Sequence, residues 1–196
     1  MPTTTLRQLN GFDETPAKLS DATLIMVDYQ NTYTQDVMEL DGWQPALDAA
    51  ANLLARAREA GAKVIHVIND GGVGTPYDIT APIGQIHSAV APIDGEDVVV
   101  KTTPNAFHET NLGDLVDAAG NSDVVVAGFM THMCVQYTAA GAFLRGNRPT
   151  VVADASATRP LRAVGKEVET AHVHHGALAT IEDLYGVVVS SAAQLG

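Results

Sequence analysis

Residues 123–146 read DVVVAGFMTHMCVQYTAAGAFLRG, a β-branched run that leads into an alanine-rich segment. From Val124 to Leu144 there is no Asp, Glu, Lys or Arg, so the segment is long enough to cross a bilayer. Thr131, His132 and Gln136 interrupt it, however, and argue against a membrane span. A buried parallel strand that runs into a buried helix has the same composition, because both faces of a parallel sheet are covered. The segment is therefore predicted to be a core strand–helix unit.

The same alternation of short apolar runs and helical patterns continues on both sides of this segment. The predicted strands are Ala22–Val27, Lys63–Ile68, Asp97–Val100, Asp123–Ala127, Pro149–Ala153 and Gly186–Val189. The predicted helices are Pro45–Ala60, Asn111–Ala119, Met133–Leu144 and Val164–Ala179. Alternation of this kind predicts an α/β fold that forms a single domain over residues 1–196. The predicted sheet has six mostly parallel strands and is doubly wound, as in Rossmann-like folds, with helices on both faces to give three αβα layers. Asn69–Asp97 shows neither helical nor strand periodicity. It is predicted to be a long loop that borders the ligand-binding site and contains a short helix near Ile83–Val90.

Composition and charge exclude several classes of function. The chain has 196 residues, one cysteine, 11 Lys+Arg and 23 Asp+Glu, which gives a net charge of −12. One cysteine excludes an internal disulfide and a zinc site made of several thiolates. The acidic balance argues against partners that are nucleic acids or anionic membranes. There is no apolar signal-peptide core, which predicts a cytoplasmic location, and no GxGxxG or Walker pattern that would indicate a nucleotide.

Three chemically useful side chains stand at predicted strand ends. Asp28 follows the first strand, Lys101 follows the third, and Cys134 lies just beyond the fourth, at the start of a helix. Ligands of such folds bind beyond the carboxyl ends of the strands, so the three are expected to converge. Taken singly, each residue has an ordinary structural explanation: Asp28 as a helix or turn cap, Lys101 as a solvated surface residue and Cys134 as buried packing. Together they predict nucleophilic catalysis, in which a helix N-terminus and the ammonium lower the thiol pKa and the carboxylate moves its proton.

Three sequence blocks resemble the isochorismatase-like cysteine hydrolases, a family of small amidases that includes nicotinamidase and N-carbamoylsarcosine amidase. The blocks are LIMVDYQNTY, VVVKTTPNAF and VVVAGFMTHMCVQYTAAGAFLRG followed by TVVADASATR. The resemblance implies a catalytic triad of Asp28, Lys101 and Cys134, and a cis peptide between Phe129 and Met130. It also implies an oxyanion hole formed by the amides of Met130 and Cys134. The implied substrate is a small amide or carbamoyl compound, and the implied assembly is a homodimer or homotetramer.

Four further residues are predicted to contact the substrate. Gln30 and Phe107 lie within the matching blocks, and Tyr33 is an aromatic residue of the kind that lines small-molecule sites. His132 lies two residues before Cys134, in the loop that precedes the helix. Within the family, the segments GQIHS and GFMTHMCV are most similar to streptothricin hydrolase-like amidases.

No metal or other cofactor is predicted. The resemblance implies a metal site only for nicotinamidases, which pair an Asp-x-His motif with a later histidine. Here Asp70 is followed by Gly71 and Gly72, and His87 stands apart. His172, His174 and His175 have no spacing that completes a tetrahedral set, so they are predicted to lie on a solvated or interface helix.

Two alternatives remain open at the level of sequence. One is hydrolysis of an isochorismate-like vinyl ether with Asp28 as acid and no covalent step. The other is a non-catalytic binding protein that has kept the fold. Cys134 favours the amidase, because only that mechanism needs a nucleophile.

Overall fold

A computed structural model describes residues 3–196 and contains a six-stranded sheet. The strands of this sheet are β1 (Ala22–Val27), β2 (Lys63–Asn69), β3 (Asp97–Lys101), β4 (Asp123–Gly128), β5 (Arg148–Val152) and β8 (Val187–Val189). The predicted strands therefore all form, with ends within one residue of those expected. A separate pair, β6 (Leu161–Ala163) and β7 (Lys166–Val168), forms an antiparallel hairpin.

The order of strands in the main sheet is β3-β2-β1-β4-β5-β8, and every neighbouring pair is parallel. The chain first adds strands on one side of β1 and then, from β4 onward, on the other. The strand order thus reverses between β1 and β4, and the crevice at that reversal is where ligands of open α/β sheets bind. The α/β, doubly wound prediction is confirmed.

Helices cover both faces of the sheet. They are α1 (Leu6–Leu9), α2 (Trp43–Glu59), α3 (Leu112–Ala119), α4 (Gln136–Leu144) and α5 (Thr170–Thr180). On one face the apolar side of α2 packs with Leu24 and Met26 of β1. On the other, α3, α4 and α5 pack with Ile25 and Val27 of the same strand. Successive side chains of β1 therefore face opposite cores, which explains why all but Thr23 in this strand are apolar.

The predicted helix Val164–Ala179 is wrong in its first part. Residues 161–168 form the hairpin of β6 and β7, and the helix begins only at Thr170. The turn has positive φ at both central residues, 50° at Val164 and 75° at Gly165. This is the geometry of a two-residue hairpin turn. Asn-Gly or Asp-Gly is the usual sequence signal for such a turn, and valine before glycine is not.

The predicted short helix near Ile83–Val90 is also wrong. Two single 3₁₀ turns, Pro82–Gly84 and Ser88–Val90, stand there instead. Between them the chain is extended, and Ile86 forms an isolated bridge with Gln30. The loop between β2 and β3 thus runs past the carboxyl end of β1 and borders the crevice at which the strand order reverses. Over residues 3–196 no helix is both long enough and apolar enough to span a membrane.

A partly buried ion cluster connects α2 and β2 to the loop that precedes β3. The Glu96 side chain is 9% exposed; its carboxylate lies 2.8 Å from Arg58 Nε and 2.9 Å from His66 Nε2. Burial raises the pKa of Glu96, but hydrogen bonds from Arg58, the Ile93 amide and His66 outweigh that effect and lower the pKa to about 2. The ionised carboxylate is therefore stabilised by folding.

We expect Glu96→Gln to lower the free energy of unfolding at pH 7 by about 2–3 kcal/mol. A depressed pKa contributes stability that is complete above the unfolded-state pKa, near 4.5, and disappears as the pH falls toward 2. In urea titrations, the difference in free energy of unfolding between Glu96→Gln and the wild type should decrease as the pH is lowered from about 4.5 to about 2. Asp97→Asn is the matched control: its ion pair with Lys63 is about one-third exposed and should contribute less than about 1 kcal/mol. Equal losses in both variants at every pH would contradict this account.

Candidate active site

Asp28 is held at the carboxyl end of β1 by a sharp change in backbone direction. Its φ is +52°, in the left-handed region that residues other than glycine seldom adopt. Its amide donates to Val67 O at 2.9 Å, and its carbonyl accepts from the Gln30 amide at 2.7 Å. The carboxylate is fully buried. Strained backbone of this kind persists only where the surrounding structure enforces it, and it concentrates at functional sites.

Lys101, the last residue of β3, brings the other two predicted residues together. Its Nζ lies 2.7 Å from Asp28 Oδ2, and both side chains have no exposed surface. The same Nζ donates to Cys134 Sγ at 3.3 Å and to Asn69 Oδ1 at 3.2 Å. The predicted convergence of Asp28, Lys101 and Cys134 at one edge of the sheet is therefore present in the structure.

Cys134 lies in a wide helical turn, Thr131–Val135, that connects β4 to α4. The thiol-bearing residue is 6% exposed. The peptide bond between Phe129 and Met130, just before the turn, is cis. The Thr131 amide donates to Ala157 O at 2.9 Å, so the loop after β5 supports the turn from the side.

The charges of the site act on one another across these short distances. Burial raises the pKa of the Asp28 carboxyl, and the Lys101 ammonium limits the rise. Burial alone would lower the pKa of Lys101, but Asp28 and Cys134 raise it overall. Burial, with the Asp28 charge added to it, raises the pKa of the Cys134 thiol well above its usual value, and Lys101 only partly offsets this.

The expectation that the thiol pKa is lowered is therefore wrong for the resting site. The sequence indicated the ammonium and the helix start, which both favour thiolate, and the carboxylate, which opposes it, but not the nearly complete burial that has the largest effect. The resting site therefore holds a neutral thiol beside a lysine that its two partners keep protonated. In that state a base must remove the thiol proton before the sulfur can act as a nucleophile.

The Asp28 carboxylate is suited to be that base. Its Oδ2 lies 2.7 Å from Lys101 Nζ, and hydrogen bonds from Lys101 and from the Cys134 thiol both act on the pKa of the carboxyl group. A carboxylate in hydrogen-bond contact with the thiol is placed to accept its proton.

Gln30 and Tyr33, two of the predicted substrate contacts, are buried near Asp28. The Gln30 amide donates to the carbonyls of Asn69 and Gly84 and accepts from the Asn69 amide, all within 3.0 Å. These bonds tie together the ends of β1 and β2 and the long loop, which supports a positioning role, while a substrate contact by Gln30 stays a prediction. Burial raises the pKa of Tyr33 well above its usual value, and Asp28 and Cys134 add to the effect, so Tyr33 lies close to the pair.

Phe107 and His132 lie in different surroundings. The Arg145 guanidinium stacks over the half-buried Phe107 ring at 5.3 Å, and the ring packs against the core on the α3–α4 side. His132 Nδ1 lies 2.6 Å from Thr158 Oγ1, and burial together with the Arg159 charge lowers the pKa of His132, which keeps it neutral at pH 7. Substrate contacts by either residue stay predictions.

Two residues of the site were missed by the sequence reasoning. Asn69, the last residue of β2, binds Lys101, and the rule that singled out Asp28 at a strand end would also have found it. Tyr77 comes from the long loop and stacks edge-on against Tyr33, with ring centroids 5.8 Å apart. No pattern in the sequence marks Tyr77, because its position depends on the path of a loop without regular structure.

Asp28, Lys101 and Cys134 are all buried in this structure. A surface depression of ≈480 Å³ lies at the opposite, amino end of the strands, and Asp13, Asp123 and Arg148 are among the residues that line it. Within residues 3–196 no group of three or more His, Cys, Asp or Glu side chains is arranged to hold a metal ion. Asp70 instead accepts a hydrogen bond from the Gly72 amide in a turn.

Close packing of β4 against β1 makes Gly128 indispensable beneath the site. A Cβ at this position would lie 2.0 Å from Val27 O, a backbone atom that has no room to move. We expect Gly128→Ala to lower the free energy of unfolding by about 3 kcal/mol or more. Gly176→Ala, within α5, is the control: a Cβ added there would have nothing within 4 Å, so helix propensity should raise stability by about 0.5–1 kcal/mol. Denaturant titrations that rank the two variants the other way would contradict this packing.

Comparison with known proteins places this arrangement in a family. Residues 22–193 match the isochorismatase domain, and the chain belongs to the isochorismatase family of hydrolases. A crystal structure of an isochorismatase from Pseudomonas putida superposes with a TM-score of 0.95 at 38% identity, over 100% of both chains.

Two curated relatives resemble the chain in sequence. The streptothricin hydrolase of Streptomyces noursei is 39% identical over 71% of this chain and 51% of its own length. The maleamate amidohydrolase of Pseudomonas putida is 32% identical over 92% of this chain and 85% of its own length. The resemblance to this family and to streptothricin hydrolase is therefore confirmed.

Proposed function

We propose that the protein is a cysteine-dependent hydrolase that cleaves the C–N bond of a small amide or carbamoyl compound through a thioester intermediate. The observation that carries this proposal is the buried contact of Lys101 Nζ with both Asp28 and Cys134, at 2.7 and 3.3 Å. Nucleophile, base and cation are all within reach of one carbonyl carbon, as covalent catalysis requires.

Acylation begins with transfer of the thiol proton from Cys134 to Asp28. The sulfur then bonds to the amide carbonyl carbon, and the C=O electron pair moves onto oxygen. The amides of Met130 and Cys134 donate to that oxyanion; the Met130 amide has no other hydrogen-bond acceptor within residues 3–196. Collapse of the tetrahedral adduct breaks the C–N bond, and the proton on Asp28 passes to the leaving nitrogen.

Deacylation reverses these roles with water. Asp28 removes a proton from the water that attacks the thioester, and the acid leaves as the proton returns to sulfur. Lys101 remains protonated throughout, because its pKa is raised by its two partners. Its charge offsets the carboxylate in the resting state and the thiolate once the proton has moved to Asp28.

The relatives support amide chemistry in particular. One is a maleamate amidohydrolase, 32% identical over 92% of this chain. A crystallised N-carbamoylsarcosine amidase from Thermoplasma acidophilum, 23% identical with a TM-score of 0.73, is similar in fold alone. The proposal uses no cofactor, and it keeps the predicted cytoplasmic location, small-molecule substrate and homodimeric or homotetrameric assembly.

The test is a panel of small primary amides and carbamoyl compounds, assayed for ammonia release by the wild type and by Cys134→Ala. Release by the wild type that is abolished in the variant is the expected result. If Cys134→Ala retained full turnover, the covalent mechanism would be wrong. Hydrolysis of an isochorismate-like vinyl ether by that variant, with no ammonia from any amide, would instead favour acid catalysis by Asp28.

A further inference from the structure

The histidines of α5 differ in their surroundings. His172 and His175 are exposed, as expected for the solvated side of a helix, whereas His174 is half-buried. The Nδ1 atom of His174 lies 2.9 Å from Thr131 Oγ1. Thr131 is the first residue of the turn that carries Cys134, and it has no exposed surface. A side chain of α5 therefore forms a hydrogen bond with the catalytic turn.

Core packing keeps this face of α5 against the turn. Ala177 and Leu178, three and four residues after His174, lie on the same side of the helix and are buried. Leu178 belongs to the same apolar core as Cys134 and Val135. The helix therefore holds His174 at a fixed position relative to the turn.

The Thr131 hydroxyl depends on His174 for its hydrogen bond. Within residues 3–196, the ring of His174 is the only partner of Thr131 Oγ1. Burial and the neighbouring His175 lower the pKa of His174, which favours the neutral ring at pH 7, and Nδ1 of a neutral ring can accept a hydrogen bond from the hydroxyl. A buried hydroxyl that loses its partner is destabilising, because water does not replace the bond.

Thr131 is placed so that this bond bears on the oxyanion site. It directly follows Met130, whose amide is proposed to bind the substrate oxygen. The Thr131 amide donates to Ala157 O at 2.9 Å. The Phe129 amide, on the other side of Met130, donates to Val27 O at 3.0 Å. The Thr131 hydroxyl adds a third anchor, which is made by a side chain.

We infer that His174 is a positioning residue of the active site, which holds the catalytic turn through the Thr131 hydroxyl and so fixes the amides that receive the oxyanion. Such amides stabilise the transition state only while they point at the developing charge, and a displacement of about 1 Å can lower the rate about 100-fold. Loss of the anchor should therefore lower kcat and leave KM nearly unchanged. The inference rests on the proposed amidase function and adds a residue to it.

The kinetic test uses the best substrate of the amide panel. His174→Leu, which removes both ring nitrogens, should lower kcat by about 10- to 100-fold and change KM by less than about threefold. His174→Asn places a side-chain amide near the position of Nδ1 and should recover most of the loss. His172→Leu makes the same replacement at a side chain of the same helix that is 74% exposed, and it should match the wild type.

A double-mutant cycle tests whether the bond to Thr131 carries the effect. Thr131→Val keeps the shape of the side chain and removes its hydroxyl, so it should lower kcat about as much as His174→Leu; it also tests the bond should His174→Leu fail to fold. If one bond is responsible, the double variant should lose no more than either single variant. Losses that multiply in the double variant would overturn the inference. Circular dichroism and urea titration verify the folding of each variant.

Amide hydrogen exchange tests the anchor without turnover. Peptides that cover residues 129–135 are followed by mass spectrometry in the wild type and in the variants. We expect these amides to exchange about 5- to 10-fold faster in His174→Leu and in Thr131→Val, and at the wild-type rate in His172→Leu. Equal exchange in all four proteins would overturn the inference.

The outcomes separate this inference from the proposed function. Exchange that depends on His174, with no amide hydrolysed, would retain the anchor and overturn the amidase. Amide hydrolysis with an unchanged kcat in His174→Leu would retain the amidase and overturn the positioning role. Equal losses of kcat in His174→Leu and His174→Asn would show that the ring only fills space, which would also overturn that role.

Discussion

Replacing Cys134 by alanine is expected to lower kcat/KM toward an amide substrate by about 10⁴- to 10⁶-fold. The sulfur is the atom that bonds to substrate, and neither Asp28 nor Lys101 can replace it as a nucleophile. Because Cys134 is a small, buried residue at 6% exposure, the variant loses one sulfur from the core and should still fold. Ammonia release under saturating and subsaturating substrate gives the change in each constant.

Cys134→Ser is the matched variant for this prediction. It keeps a nucleophilic atom of nearly the same size, but the hydroxyl has a much higher pKa than the thiol, which burial beside Asp28 already raises. We expect a loss almost as large as that of the alanine variant, with circular dichroism unchanged. Residual activity of Cys134→Ala within tenfold of the wild type would exclude a covalent role for the sulfur.

The second large effect concerns Asp28 and Lys101. Asp28→Asn removes the only base of the mechanism, and kcat should fall by about 10²- to 10⁴-fold. Lys101→Met leaves Asp28 buried without its cation, which should cost about 3–5 kcal/mol of folding free energy. The double variant removes both buried charges, so its stability should return toward that of the wild type while its activity stays low.

The pH dependence of kcat/KM tests how burial and Lys101 together set the pKa of Asp28. Burial raises the pKa of Asp28, and only the ionised form accepts a proton, so kcat/KM should fall as the pH drops through a value above the ordinary carboxyl range. Lys101 holds that pKa down, so the residual activity of Lys101→Met should show its acid limb at a higher pH, by about 1–3 units. Lys63→Met, which removes an exposed ion pair, is the control and should leave the limb in place. If the acid limb of the pH profile lay at the same pH in Lys101→Met as in the wild type, Asp28 would not be the titrating base.

The sequence was sufficient to predict the sheet and the three residues at its edge. The strands are short, nearly continuous apolar runs, a pattern typical of a parallel sheet covered on both faces, and parallel strands bring their carboxyl ends to one side. That rule identifies Asp28, Lys101 and Cys134 as candidates, and the resemblance to the family implies their role as a triad. The strand order, which reverses between β1 and β4, then brings the first and last of them to the crevice.

Features that depend on long-range packing could not be predicted in this way. The thiol pKa is set by burial, which no local pattern encodes. The hairpin at residues 161–168 depends on Val164 at a φ of 50°, which runs against the usual preference of a β-branched residue. Tyr77 reaches the site through an irregular loop, whose course depends on contacts such as the bridge between Gln30 and Ile86.

The most direct test of the account is to trap the covalent intermediate. Wild-type enzyme is mixed with a substrate found in the amide panel, quenched in acid within milliseconds, and analysed by intact-mass and peptide mass spectrometry. The account predicts an added acyl mass on the peptide that contains Cys134, lost on treatment with hydroxylamine and absent from Cys134→Ala. Rapid turnover with no acyl adduct at any quench time, together with an undiminished Cys134→Ala, would contradict it.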